Sequence, residues 1–201
     1  MTFAEAAIAF TALFVVIDPI GLTPIFVAMT AGMTPRERRA IALRACLIGG
    51  GILVVFAVAG EAVLTFLGIS MPAFRIAGGL LLFLTALEML FEKRQPRREG
   101  RKEEPTSDPS VFPLALPLIA GPGAIATMIL LTDGASTIGA AQAIGVMLTV
   151  IAVVWIFFQL ATPLERLLKP TGINVVTRLL GMLLAALSVQ FVLDGLADLS
   201  W

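Results

Sequence analysis

The chain has 201 residues, of which 58% are hydrophobic and only 14% are charged, and its mean hydropathy is +0.98. A soluble domain carries about 25% charged residues, so this composition excludes a soluble globular protein and indicates a polytopic membrane protein. We therefore expect the lipid bilayer as a partner, and we expect no nucleic acid to bind.

The residue types exclude several kinds of enzyme. The chain has no histidine, so it can form neither a Ser-His pair nor an HExxH zinc site, and it has no Gly-rich P-loop with a lysine. Cys46 is the only cysteine, which excludes an intrachain disulfide and a cysteine-based metal site. We expect no enzyme activity, no metal and no cofactor. The choice between H⁺ and Na⁺ as a coupling ion stays open.

Six segments are long and apolar enough to cross the hydrocarbon core, which takes about 20 residues of helix. They cover residues 3–30, 35–67, 72–91, 111–132, 137–168 and 173–197. Thr34 and Pro35 are typical of the cap and first residue of a helix, and the polar stretch Lys169-Pro170-Thr171-Gly172 separates the last two segments. The predicted fold is all-α, a single integral membrane domain over 1–201 with a solvated linker at 92–110.

The first segment is interrupted by Asp18-Pro19-Ile20-Gly21-Leu22-Thr23-Pro24. Proline lacks an N–H and clashes with the carbonyl four residues earlier, and it pushes the residue before it out of the α region. Such a break is tolerated at membrane depth only where it is buried in protein or lines a polar cavity. A second break, Ala120-Gly121-Pro122-Gly123, interrupts the fourth segment. We expect the two breaks to face each other and form a binding site.

The chemistry of this predicted site follows from the backbone. A broken helix exposes N–H groups that attract anions and carbonyls that coordinate cations, and the glycines would let the backbone approach a ligand closely. The first break adds a carboxylate and the second has none, so the predicted site is asymmetric. The predicted substrate-binding residues are Asp18, Pro19, Gly21, Thr23, Pro24, Ala120, Gly121, Pro122, Gly123 and Thr127.

Two interpretations of Asp18 stay open. An ionisable group buried in the membrane is a functional candidate, able to take up a proton, hold a cation or meet a substrate ammonium; Asp18 could equally cap the second half-helix. Arg44 and Glu88 are candidate charge partners. Arg44 could reach the membrane surface or pair with Asp18 or Glu88, and Glu88 lies close enough to the linker for its carboxylate to reach water.

The basic residues predict an orientation, because cytoplasmic loops of membrane proteins are rich in Lys and Arg. If the N-terminus lies outside, the inner loops and the adjoining helix ends hold 13 of the 14 Lys and Arg, and only Arg75 falls on the outer side. We therefore expect a multi-pass protein of the cytoplasmic (inner) membrane with both termini outside the cytoplasm.

The two halves of the chain also match weakly. Glu61 is followed seven residues later by Gly68-Ile69, Glu165 is followed in the same way by Gly172-Ile173, and Pro19 and Pro122 lie at nearly the same offset. Each half holds three helices, so the second copy must insert upside down, which is a recurring plan of transporters. We expect a 3+3 inverted repeat with broken helices 1 and 4, repeat one being 1–91 and repeat two 111–201. The alternative is that these matches arise by chance.

The two breaks also carry a family resemblance. Val15-Val16-Ile17-Asp18-Pro19-Ile20-Gly21-Leu22-Thr23-Pro24-Ile25-Phe26 and Pro113-Leu114-Ala115-Leu116-Pro117-Leu118-Ile119-Ala120-Gly121-Pro122-Gly123-Ala124-Ile125 resemble the two signatures of the MarC family. The resemblance covers the whole chain. That family is grouped with the lysine-exporter superfamily, and one branch is described as neutral amino-acid transporters. The resemblance implies a bacterial or archaeal membrane protein that moves small amino acids.

Two classes of function remain. The favoured one is a secondary transporter or exporter of small solutes such as neutral amino acids, with a zwitterion held between the breaks, and Asp18→Asn is then expected to abolish transport without lowering expression. The alternative is a non-transporting membrane protein, such as a stress-linked or assembly factor, in which the breaks serve packing alone. A homo-oligomer is compatible with either function.

Overall fold

The computed structural model describes residues 1–91 and 108–199, apart from the side chains of Glu165, Arg166 and Pro170. This part of the chain folds into helices and no strands, as predicted. The helices, numbered in chain order, are α1 Phe3–Ile17, α2 Pro19–Met29, α3 Pro35–Phe66, α4 Met71–Leu90, α5 Ser110–Ile119, α6 Pro122–Thr132, α7 Thr137–Gln159 and α8 Ala161–Ala197. The predicted linker at 92–110 lies outside the described residues except for its last three.

Among the described residues, five candidate membrane spans can be recognised by length and composition, or six if one bent pair of helices counts as a span. Five are Phe3–Met29, which joins α1 and α2, then α3, α4, α7 and Thr171–Ala197. The sixth is the pair α5 and α6, whose axes are bent by 55°. The protein is therefore a polytopic membrane protein, and its described residues reach the six spans that the sequence predicts when the bent pair counts as one span.

The first span is interrupted at Asp18. Its backbone has φ 55° and ψ 65°, in the left-handed region that Asp and Asn tolerate better than most residues. Its N–H still donates to the carbonyl of Phe14, at 2.9 Å. Pro19 then begins α2 at a position where a missing N–H costs nothing. The predicted break is present, and Asp18 is outside the right-handed α region as expected.

The second and third spans begin at strong caps. The N–H of Glu37 donates to the Thr34 hydroxyl at 3.3 Å, and the Glu37 carboxylate accepts from the N–H of Thr34 at 2.7 Å. This reciprocal capping box, followed by Pro35, fixes the start of α3 where the sequence predicts it. The hydroxyl of Ser70 caps α4 with a single hydrogen bond, which it accepts from the N–H of Ala73.

The fourth span is the most irregular one in the described part of the chain. The peptide bonds before Pro113 and Pro117 are cis, and Phe112 and Leu116 have non-helical backbone angles within α5. Because α5 ends at Ile119 and α6 begins at Pro122, two residues connect the half-helices. The predicted second break is confirmed.

The end of the fifth span differs from the prediction, whereas the polar separator predicted at 169–172 is confirmed by the kink at Lys169 and by the start of the last span at Thr171. α7 ends at Gln159, and residues 161–168 already belong to α8, which is kinked at Lys169 (φ 55°, ψ 167°). The sequence argument placed the end of the fifth span at 168. The reason is Pro163, whose ring in a continuous helix would clash with the carbonyl of Gln159, four residues earlier. In the observed arrangement, Pro163 lies in the first turn of α8, where its missing N–H is harmless.

The spans of the two halves contact one another in a regular pattern. The first span packs against α7 and α8, and the fourth span packs against α3 and α4. In addition, α3 packs against α7, and α4 packs against α8 in the most extensive contact between any two helices of the described chain.

Glycines allow α4 and α8 to come this close. A Cβ added at Gly79 would lie 2.7 Å from the carbonyl oxygen of Ser188, and one added at Gly195 would lie 3.0 Å from the carbonyl oxygen of Pro72. Small residues at such contacts let helix backbones pack directly against each other in a membrane. The α4–α8 contact therefore depends on the missing side chains.

A cluster of charges joins three spans at one end of the bundle. Arg75, near the start of α4, donates to Asp133 after α6, at 3.3 Å, and to Asp198 after α8. Arg75 and Asp133 are about three-quarters buried. This charge cluster lies at one end of α4, and Glu88 lies near the other end.

Candidate functional site

The end of α1 lies against the second break inside the bundle. A Cβ added at Gly123 would lie 3.3 Å from Cγ1 of Val16 and 2.8 Å from Cδ2 of Leu82. Val16 precedes the first break by two residues, and Gly123 is the last residue of the second break. The absence of a side chain at Gly123 therefore permits the close approach of the second break to the end of α1.

A cavity of about 300 Å³ opens beside this contact. Three elements line it: both breaks and the second half of α4. The lining residues are Val16, Leu22, Leu81, Leu84, Thr85, Glu88, Pro117, Leu118, Gly121, Pro122, Gly123 and Ala124. Small-molecule pockets occupy about 300–1,000 Å³, so this cavity suits a small solute.

The start of α6 supplies hydrogen-bond donors beside the cavity. Its cap residue is Gly121, which has no side chain to accept from the first turn, and the next residue is Pro122, which has no N–H. The N–H groups of Gly123 and Ala124 are thus left without a side-chain cap, at the positive end of a helix dipole. This arrangement favours a carboxylate or another small anion.

A carboxylate lies on the same cavity, but it comes from α4. Glu88 is half-buried and lines the cavity with Thr85, one helical turn earlier. The hydroxyl of Thr85 donates to the carbonyl of Leu81 at 3.0 Å, and its oxygen can still accept a hydrogen bond from a bound solute. The cavity is therefore bordered by the Glu88 carboxylate on the α4 side and by the positive end of the helix dipole on the α6 side.

Asp18 has a different position. It is fully buried and is absent from the lining of the cavity. Its Oδ1 accepts from the N–H of Gly21 at 3.0 Å, which caps α2. A Cβ added at Gly21 would overlap the Asp18 carboxylate, so Gly21 makes room for this cap. The capping role that the sequence left open is confirmed, and a ligand role for Asp18 stays a prediction.

The two threonines are equivalent in the two breaks. The Thr23 hydroxyl donates to the carbonyl of Pro19 at 3.0 Å, and the Thr127 hydroxyl donates to the carbonyl of Gly123 at 2.9 Å. Both side chains are fully buried. Their hydrogens are used within their own helices, where they satisfy backbone groups beside the breaks.

The predicted set is thus divided by the structure. Gly121, Pro122 and Gly123 line the cavity, whereas the other members of the set pack around it without lining it: Asp18, Pro19, Gly21, Thr23, Pro24, Ala120 and Thr127. The sequence argument missed the other eight lining residues, among them Thr85, Leu81 and Leu84 of α4. The signal for Thr85 was the spacing Thr85-x-x-Glu88, which puts two polar side chains on one face of an apolar helix.

Of the two candidate charge partners, Glu88 lies at the cavity and Arg44 does not. Arg44 donates to Asp108 at 3.2 Å, and both side chains are largely exposed. The proposed pairing of Arg44 with Asp18 or Glu88 is therefore wrong, because Asp108, just before α5, is nearer to the surface and within reach. The N–H and the hydroxyl of Ser110, with Arg44, lower the pKa of the Asp108 carboxyl.

The cap of α2 gives a graded test of Asp18. Asp18→Asn keeps both a capping oxygen and a residue suited to the left-handed region, so we expect an unchanged melting temperature in detergent. Loss of the cap in Asp18→Gly costs a few tenths of a kcal/mol, whereas loss of the cap and backbone strain in Asp18→Ala together cost about 2–3 kcal/mol. An Asn variant as unstable as the Ala variant would contradict the capping role. Loss of transport in a stable Asn variant would instead support a direct contact of Asp18 with the substrate or a coupling ion.

Comparison of the sequence with known proteins identifies the family of the chain. Residues 3–200 match the model of the MarC family integral membrane proteins. The chain is 38% identical to the UPF0056 membrane protein YvbG of Bacillus subtilis, with 98% of this chain and 96% of YvbG covered. It is 37% identical to the UPF0056 membrane protein YhcE of Escherichia coli, with 93% and 89% covered. No solved structure matches the chain. The two broken spans thus belong to a multi-pass protein whose relatives are bacterial and archaeal membrane proteins, and the chain is a member of the MarC family.

Proposed function

We propose that this protein is a secondary transporter or exporter of small zwitterionic solutes, such as neutral amino acids, across the cytoplasmic membrane. The observation that carries the proposal is the cavity of about 300 Å³ with Glu88 and the uncapped start of α6 in its lining. A zwitterion has a carboxylate and an ammonium a few ångströms apart, and the cavity offers a donor end and an acceptor side chain.

The two charged groups of such a solute would bind to different partners. The N–H groups of Gly123 and Ala124 would donate to the substrate carboxylate, and the helix dipole adds to this attraction. Glu88 and the lone pairs of Thr85 would accept from the ammonium. The remaining lining is apolar, with Leu81, Leu84 and Val16 among it, which suits a short uncharged side chain and disfavours a charged one.

A direct feature of the first break supports the competing, non-transporting function. Asp18 caps α2, and the Thr23 hydroxyl donates to the carbonyl of Pro19, so polar groups at this break already have partners within the protein. The second break differs, because the first turn of α6 has no cap and borders a cavity. The transporter proposal therefore depends on the second break more than on the first.

We also propose that the two halves are related as an inverted repeat, with both termini outside the cytoplasm. The proposal is supported by the main contacts between the spans of one half and those of the other, which are preserved when spans one and four, two and five, and three and six are exchanged. Thr23 and Thr127 add a local match, since each donates to the carbonyl four residues earlier beside its break. The orientation follows from the distribution of the basic residues.

The function can be tested in liposomes that contain only the purified protein. We expect labelled alanine, glycine, serine or threonine to enter liposomes preloaded with the same unlabelled amino acid, faster than into protein-free liposomes. Imposed H⁺ and Na⁺ gradients, applied one at a time, would identify the coupling ion. No exchange of any of the four amino acids under either gradient would contradict the amino-acid proposal and favour the competing function.

A further inference from the structure

A second cavity, of about 620 Å³, lies at the end of the bundle where α2 and α7 end and α3 begins. Its lining includes Phe26 of α2, Arg38 and Arg39 of α3, and Trp155 and Gln159 of α7. This cavity shares no lining residue with the cavity between the breaks.

Arg38 is held in a fixed position inside this cavity. Its guanidinium carbon lies 5.6 Å from the centroid of the Phe26 ring, and Nη1 donates to the Thr162 hydroxyl at 3.1 Å. The Phe26 ring is itself stacked on Phe158, with centroids 4.4 Å apart and an angle of 11° between the planes. Arg38 has five N–H groups, so most of its donors stay available after the contact with Thr162.

The other polar groups of this cavity are donors as well. Arg39 adds a second guanidinium, and the side-chain amide nitrogen of Gln159 is buried without a hydrogen-bond partner. No Asp or Glu occurs among the described lining residues. Two arginines without a carboxylate give the cavity a positive potential. The planar fork of Arg matches the oxygens of a phosphate group.

The cavity also borders apolar surface that faces the lipid. Trp155 is 39% exposed and Leu160 is 52% exposed, and both lie near the end of a helix that is long and apolar enough to span the membrane. Trp is enriched where the hydrocarbon meets the headgroups. An occupant of this cavity would thus have its anionic part beside Arg38 and an apolar part beside Trp155 and Leu160.

We propose that this cavity binds the phosphate headgroup of an anionic phospholipid, with its acyl chains lying along α7. The phosphate contacts Arg38 and Arg39, and the amide of Gln159 lies beside it as an additional donor. The proposal rests on the geometry of the cavity alone. It is therefore independent of whether the protein transports amino acids.

The test is thermal unfolding of the purified, delipidated full-length protein in detergent, titrated with phosphatidylglycerol. We expect phosphatidylglycerol to raise the melting temperature in a saturable way, and phosphatidylcholine, whose headgroup is neutral overall, to have little effect. In Arg38→Gln/Arg39→Gln the lipid should bind at least tenfold more weakly. Arg38→Lys keeps the charge but loses the fork, and should give an intermediate affinity.

Arg36→Gln is the matched control, because Arg36 lies in the same first turn of α3, is exposed and does not line the cavity. Equal stabilisation of the wild type and the double variant by phosphatidylglycerol would overturn the proposal, and so would an equal effect of phosphatidylcholine. Inorganic phosphate is the third arm: the same stabilisation at the same concentration would show a free-anion site and exclude the lipid. If the double variant does not fold, the single variants Arg39→Gln and Arg38→Lys carry the comparison.

Discussion

Glu88→Gln should lower the transport of neutral amino acids about tenfold to hundredfold. The substitution keeps the size of the side chain and removes the negative charge from the lining of the cavity. A hydrogen bond to a charged group contributes about 1.5–3 kcal/mol, and about 1.4 kcal/mol corresponds to a factor of ten in affinity. Because the proposed site loses its contact with the substrate ammonium, we expect KM in the liposome assay to rise.

Glu61→Gln is the control for this prediction. Glu61 lies near the end of α3, is exposed and is not part of the lining, so its neutralisation should leave transport unchanged. Equal loss of transport in both variants would indicate a general effect of charge on insertion or folding. Full transport by Glu88→Gln would remove Glu88 from the site.

Gly79→Val should destabilise the protein by about 1–3 kcal/mol, the usual cost of an overpacked core. The first added carbon would lie 2.7 Å from the carbonyl oxygen of Ser188 and 2.8 Å from Val192. The oxygen belongs to the backbone of α8, so relief requires α4 and α8 to move apart along their most extensive contact. For a chain of this length, the melting temperature in detergent should fall by roughly 2–12 °C.

Gly51→Val provides the matched substitution on another helix. A Cβ at Gly51 meets no atom within 4 Å, and this position is exposed on α3. We expect its melting temperature to stay close to that of the wild type. Similar losses at Gly79 and Gly51 would mean that helix propensity, not the α4–α8 contact, determines the cost.

The sequence predictions were most reliable at residues that restrict the backbone directly, such as prolines and helix caps. Pro19 and Pro122 lack an N–H, so the interruption of the first and fourth spans could be predicted from the sequence. Thr34 and Pro35 fixed the start of α3 for a similar reason. Pro163 also lacks an N–H and ends α7 four residues earlier. It was overlooked because it lies within an apolar run, close to the more conspicuous polar sequence Lys169-Pro170.

The lining of the cavity could be predicted only in part. Gly121, Pro122 and Gly123 are local features of the second break, and they were found. Glu88 and Thr85 reach the same cavity from α4, because α4 packs against α6, and no local pattern records which helices become neighbours. Asp18 was prominent as an isolated carboxylate in an apolar run, yet its Oδ1 accepts from a backbone N–H three residues away.

The charge cluster at Arg75 constrains how the spans can separate. It joins α4 to the ends of α6 and α8, thirteen positions before Glu88, or about 20 Å along the helix axis. Any motion of α4 away from α6 and α8 at this end of the bundle would require Arg75 to release both carboxylates. Since the three side chains are partly exposed, separating them costs only a modest free energy. The cluster therefore holds the three spans together at one end without locking them there.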